Sequence, residues 1–178
     1  MADISKHLKP TLTAIQKYWE DKNEKDGHRA HLGASLIGEV CLRKLWYTFR
    51  HCKRPSFSGR MYRLFDRGQR EEEVFVEELR GVGVTIIDVD KDGNQIRVSD
   101  IGGHFGGSLD GFITSGLKES SKPHVAEFKT HNDKSFKELV KVGVEEAKPL
   151  HYAQMQIYMH YTEVDRALYM AANKNDDT

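Results

Sequence analysis

The sequence predicts an α/β fold with helices packed on a sheet. Three observations carry this. Helical periodicity dominates the first 80 residues, alternating strands follow from 84 to 130, and a helix then a strand close the chain. At 178 residues the chain has the length of a single domain, enough to build a core without disulfide or metal staples. It divides into a helical part over 1–80 and a part over 84–172 made of the sheet and its helices.

Residues 4–22 read as an amphipathic helix with Ile4, Leu8, Leu12, Ile15 and Trp19 near one face, and Pro10 marks a start or a kink. The polar run DKNEKDGHRAH (21–31) is a loop. Ser35 suits the N-cap of a helix over 36–50. KRPSFSGR (53–60) breaks that helix, and a further helix over 61–80 ends at Gly81 and Gly83. VTIIDVD (84–90) and QIRVSDI (95–101) alternate as strands around the Asp-Gly turn of KDGN. HFGGSLDGFI (104–113) reads as a third strand. HVAEFKT (124–130) is a fourth, with Ala126 and Phe128 on one face and Val125 and Glu127 on the other. Residues 133–142 are helical, Pro149 opens a helix to 163, and RALYMAA (166–172) is the last strand.

Composition narrows the function classes. Hydrophobic residues make up 38% and charged residues 30%, a soluble globular profile rather than a disordered one. No apolar run approaches the roughly 18 residues of a membrane span. The N-terminus, MADISKHLKP, lacks the apolar segment of a secretory signal. Two cysteines, Cys41 and Cys52, exclude a disulfide scaffold and a four-cysteine zinc or iron–sulfur site. A reducing cytoplasm is the expected compartment.

The 27 basic and 27 acidic residues cancel, but they are segregated. From Cys41 to Arg70, Arg43, Lys44, Arg50, Lys53, Arg54, Arg60, Arg63, Arg67 and Arg70 face one acid, Asp66. Trp46, Tyr47, Phe49, Phe57, Tyr62 and Phe65 are interleaved with them. Cations attract phosphates and rings stack on bases, so this stretch suits a nucleic-acid strand.

The chemistry centres on Asp110, in GGSLDG, and on Glu127-x-Lys129 in the next strand. Residues two apart on a strand share a face, so Glu127 and Lys129 can serve one site. A hairpin-like connection can bring Asp110 to them. Two converging carboxylates suit a hard cation, Mg²⁺ or Mn²⁺, and the lysine can hold a water or meet phosphate charge. In the helix 61–80, Glu72 falls in the middle of the apolar arc of Phe65, Gly68, Phe75, Val76 and Leu79. A carboxylate there needs a metal or a partner, for which Arg67 and Arg70 are near. In the helix 149–163, His151, Gln154 and Tyr158 form one row and Tyr152, Gln156 and His160 another. Asp88-x-Asp90-x-Asp92-Gly93 opens like a calcium loop, but Ser99 stands where its twelfth-position Glu belongs, so it reads as an acidic turn.

Taken in order, HLGAS (31–35), RGQREEE (67–73), GGSLDG (106–111), EFKT (127–130) and HYAQMQIYM (151–159) resemble the PD-(D/E)XK nuclease superfamily. Within it they resemble the RecB-like nucleases and the phage lambda-type (YqaJ) exonucleases, over residues 29–172. The family's usual proline before the first acid is Leu109 here, and the four cysteines of its iron–sulfur branch are absent. The similar phage enzymes continue past the last strand, so the chain reads as a truncated or minimal version.

The resemblance implies a central mixed sheet flanked by helices and a metal-dependent deoxyribonuclease, an exonuclease acting on DNA ends in recombination or repair. Asp110, Glu127 and the Phe128 carbonyl would bind Mg²⁺ (or Mn²⁺), with Glu72 assisting. Lys129 would orient or activate water, and Gln154 would position water or substrate. Ser35 would receive a terminal 5′-phosphate, helped by Arg29 and Ser108. Arg43, Arg50, Lys53, Arg54 and Tyr158 complete the expected DNA contacts. Expected partners are duplex ends or single strands, a single-strand annealing protein and a second copy of the chain. The rival readings are a structure-specific or nicking endonuclease and a non-catalytic DNA-binding module.

Overall fold

The architecture follows from a strand buried on both faces. His124–His131 (β6) alternates Ala126 and Phe128 against Val125 and Glu127, and all four are buried. Ala126 and Phe128 join a core cluster with Phe75, Val76, Leu79, Ile86 and Ile113. Val125 belongs to a second cluster with Ala34, Phe105, Leu109 and Tyr158. Burying each large side chain contributes about 1.5–3 kcal/mol, so these two layers drive the chain to enclose β6.

The computed structural model describes residues 5–24, 30–52 and 56–178. Three of the expected DNA contacts, Arg29, Lys53 and Arg54, lie outside the described residues. The helices are α1 (Ser5–Glu24), α2 (Leu42–Phe49), α3 (Gly59–Gly81), α4 (Asp133–Ala147) and α5 (Pro149–Thr162). The other strands are β1 (Leu32–Gly33), β2 (Thr85–Ile87), β3 (Arg97–Asp100), β4 (Phe105–Ser108), β5 (Gly111–Ser115) and β7 (Ala167–Asn173). The fold is α/β, with two mixed sheets flanked by helices. One sheet has the order β1-β4-β3 and the other β2-β5-β6-β7. β5 and β6 are antiparallel, whereas β6 and β7 are parallel, a pairing that needs a crossover, here α4 and α5. Among the described residues no helix is long and apolar enough to cross a membrane.

Several expectations are corrected. The single central sheet is two sheets, because the segment read as one third strand divides into β4 and β5. Leu109 N bonds to Ile96 O at 2.9 Å, which continues the β3 ladder. Asp110 then bends, and its carboxylate accepts Phe128 N at 2.8 Å. The turn at 90–94 forms, with Asp90 N donating to Asn94 O at 2.7 Å. Its flanks pair only at the Val89–Gln95 bridge, after which β2 joins β5 and β3 joins β4. Ile86 and Val98 pack in different clusters, which pulls the two arms apart.

The helix expected over 36–50 is shorter. Ser35 lies in a three-residue 3₁₀ turn, Ala34–Leu36, capped by Gly33, and α2 begins only at Leu42 with Cys41 at its N-cap. Gly38 passes so close to α5 that a Cβ there would meet Leu150 Cα at 2.9 Å and Ala153 Cβ at 3.0 Å. That approach sets the path of the segment and is invisible to helical periodicity. In α1, which runs through Pro10, Leu12 and Ile15 are exposed and Trp19 half-buried, so the described part of the expected apolar face is largely uncovered. α1 meets the start of α3 through Glu20 Oε1, which accepts Gly59 N at 2.8 Å.

Gly107 packs β4 closely against α5 and the 3₁₀ turn. A Cβ there would lie 2.5 Å from the Tyr158 hydroxyl and 2.9 Å from Ala34 Cβ, both buried. Gly107→Ala is expected to cost about 1–3 kcal/mol by overpacking, read as a lowered Tm. An unchanged Tm would mean that α5 is held less tightly than this contact implies.

Candidate active site

Chain order and strand geometry bring four expected residues together. The β5–β6 hairpin pairs Gly111 with Ala126, so Asp110 and Glu127 flank one register position. Asp110 accepts Phe128 N at 2.8 Å, which fixes its carboxylate against the β6 backbone. Glu127 is fully buried, and its Oε2 accepts Gln154 Nε2 from α5 at 3.1 Å. Tyr158, one turn further, donates to Ser108 O at 2.7 Å and receives a long hydrogen bond from Gln154 at 3.4 Å.

Lys129 is the centre of the arrangement. Its Nζ lies 2.6 Å from Glu127 Oε1, 2.7 Å from the Phe128 carbonyl oxygen and 3.3 Å from Asp110 Oδ2. These are the oxygens that the resemblance assigns to a metal. The contact to Glu127 Oε1 is an ion pair by distance but lacks hydrogen-bond alignment, so that buried oxygen has no hydrogen-bond partner. Burial works against the ammonium, but Glu127 and Asp110 together outweigh it and hold its pKa above the ordinary lysine value. Lys129 is therefore charged at neutral pH.

Burial pushes Glu127 up to about 7, with Lys129 opposing and Asp110 adding to the rise. Glu72 is also raised to about 7, first by burial and then by the charge of Asp110. Its setting corrects the expectation of a buried face. Glu72 is half-buried and lines a cavity of about 630 Å³ with Ser35, Arg97, Ser108, Asp110 and Gln154. Neither nearby arginine pairs with it. Arg70 bridges Asp66 at 3.1 Å and Arg67 donates to Lys174 O at 3.0 Å.

The donor set fits a hard divalent cation: a carbonyl oxygen and two carboxylates, one of which has a buried oxygen without a hydrogen bond. Among the described residues no three His, Cys, Asp or Glu side chains converge as a metal-holding group. A cation would draw on Asp110, Glu127 and Phe128, with Glu72 left to act through water.

The predicted DNA contacts are spread more widely. Ser35, Ser108 and Tyr158 line the cavity, although Ser35 no longer has the helix start expected for it. Arg43 and Arg50 are exposed on and just after α2, which packs against β1. Trp46 and Tyr47 are also exposed there, with the Arg50 guanidinium 5.9 Å from the centre of the Trp46 ring.

Sequence reasoning passed over two features. The first is Arg97, which reaches the cavity with Gln95 and Ser99. Their spacing of two in QIRVS was the available signal. The second is a row beside the site on the same sheet face, since Tyr169 is the register partner of Glu127. Tyr169 OH lies 2.9 Å from His131 Nε2 and 2.8 Å from His151 Nδ1, and His131 Nδ1 lies 3.1 Å from Ser135 Oγ. No short-range pattern joins residues 131, 151 and 169.

Burial, with the charge of Lys129 next, holds His151 down to about 4. Between about pH 6.5 and 4 the unfolded chain binds a proton that His151 in the folded chain does not, so this residue's stabilisation is lost as pH falls through that window. His131, lowered by burial, acts in the same direction, whereas the raised Glu72 and Glu127 act oppositely. Comparison with His151→Gln isolates the one residue. Below pH 6.5 the Tm of the wild type should fall more steeply than that of the variant. Parallel curves would contradict the buried neutral imidazole.

No protein-family model, curated protein or solved structure matches the chain.

Proposed function

We propose that the protein is a metal-dependent DNA nuclease of PD-(D/E)XK type, acting as an exonuclease on DNA ends. One observation carries the reading: Asp110, Glu127 and the Phe128 carbonyl surround a single cationic group, with Asp110 opening onto a cavity. A structural ion pair needs only one carboxylate. Two carboxylates, a third raised by burial and a positioned glutamine are more than a lone lysine requires.

Asp110, Glu127 and the Phe128 carbonyl would hold Mg²⁺ or Mn²⁺, with Glu72 assisting through water. The cation would supply positive charge to the reacting phosphate and lower the pKa of water. Gln154 fixes the orientation of Glu127 through Oε2 and leaves Oε1 to the Lys129 ammonium, whose place a cation would share. Lys129 keeps a full charge beside the reacting position and offsets charge growing on the phosphate. The Ser35 and Ser108 hydroxyls supply neutral hydrogen bonds to the strand. The rings and cations of α2 form the outer contact, where Trp46 and Tyr47 offer stacking surface and Arg43 and Arg50 offer phosphate attraction.

Linear duplex and closed circular DNA of one sequence test the reading. In Mg²⁺ the linear DNA should be degraded and the closed circle should persist. Ends bearing a 5′-phosphate should be degraded about 5- to 150-fold faster than 5′-hydroxyl ends, the effect of losing 1–3 kcal/mol of contacts. Rapid cutting of the circle would replace exonuclease with endonuclease action.

A further inference from the structure

We propose that Arg97 binds a phosphate of the substrate strand on the cavity wall, flanked by Gln95 and Ser99, so that β3 guides the DNA backbone past the carboxylates. The identity of the strand rests on the nuclease reading above.

Alternation places the residues. Ile96 and Val98 pack against the core cluster of Leu109 and Tyr158, which puts Gln95, Arg97 and Ser99 on the opposite face. All three line the cavity, and Val98 also borders it. β3 is an edge strand whose inner neighbour is β4, and among the described residues no strand pairs with its outer side, which suits an extended polymer. Side chains two apart on a strand stand about 6.7 Å from one another, a spacing comparable to that of neighbouring phosphates. Arg97 is also the register partner of Ser108, and directly opposed residues point to the same face.

Charge favours an anion at Arg97. Among the described residues lining the cavity it is the one Arg or Lys, while Glu72 and Asp110 bring negative charge. A polyanion entering there needs a cation among the lining residues. Arg97 makes no side-chain hydrogen bond or ion pair with a described residue, and the acids of the preceding turn are engaged elsewhere. Asp88 pairs with Arg80 at 2.8 Å, and Asp90 Oδ1 accepts Asp92 N at 2.8 Å and Asn94 N at 3.0 Å. A planar guanidinium with all its donors available matches phosphate in two-point contact.

The test is fluorescence anisotropy of a labelled linear duplex across a salt series, in EDTA so that no turnover interferes. It compares the full-length wild type, Arg97→Ala and Arg97→Lys. Arg97 is exposed, so the fold should persist, and circular dichroism checks it. Arg97→Ala should weaken binding about 10- to 150-fold and flatten the salt slope by about 0.7–0.9. Arg97→Lys should keep the slope and lose only part of the affinity. In Mg²⁺, the KM of Arg97→Ala should rise by a similar factor with kcat little changed. Affinity and slope equal to wild type in Arg97→Ala would overturn the proposal and leave the nuclease reading standing. Wild-type binding that depends on Arg97 but is followed by no cleavage in Mg²⁺ would support the contact and overturn the nuclease reading.

Discussion

Asp110→Ala and Glu127→Ala are each expected to remove DNA cleavage, with rates at least about a thousand-fold below wild type. On the proposed reading, losing either ligand would weaken metal binding and remove several kcal/mol of transition-state stabilisation. The two substitutions differ in their effect on the free protein. Asp110 anchors the β5–β6 junction through Phe128 N, so its loss should lower the Tm as well as activity. Glu127 is a fully buried carboxylate whose pKa burial has raised, so its removal relieves a desolvation cost while unpairing Lys129 and Gln154. Activity of either variant within about tenfold of wild type, with circular dichroism unchanged, would remove the carboxylates from the mechanism.

Lys129→Ala is expected to lose turnover by about 100- to 1,000-fold while binding divalent metal no more weakly than the wild type. The ammonium lies among the oxygens assigned to the cation, so the two compete for the same negative charge. Taking the ammonium away leaves Asp110 and Glu127 less compensated and raises their attraction for a cation. Mn²⁺ calorimetry reads the binding and a cleavage assay reads the turnover. Metal binding lost to the same extent as in Asp110→Ala would make Lys129 a structural element of the site.

The candidate constellation was legible in the sequence because it uses short periods. Glu127 and Lys129 share a strand face at a spacing of two, and Gln154 and Tyr158 share a helix face at a spacing of four. Asp110 could be added because the hairpin joining it to Glu127 is local. Glu72 was marked by its apolar neighbours, yet the helix alone could not show that its middle turn meets a cavity rather than a core.

What escaped depends on contacts between distant segments. Gly38 meets α5 more than 110 residues later, and that meeting ends the expected long helix before it starts. The split of one strand into β4 and β5 follows from Leu109 and Asp110 finding separate partners in Ile96 and Phe128. Arg97 looked like any charge on a solvated strand until β3 was placed at the sheet edge beside the cavity.

The most direct measurement is cleavage of an end-labelled linear duplex by the wild type and by Glu127→Gln, each in Mg²⁺ and in EDTA. Glutamine preserves the size of the side chain and removes its charge. Shortening of the labelled strand is expected for the wild type in Mg²⁺ alone, and for Glu127→Gln under neither condition. Cleavage that survives EDTA, or that Glu127→Gln performs as well as the wild type, would contradict a metal-dependent nuclease centred on Asp110, Glu127 and Lys129.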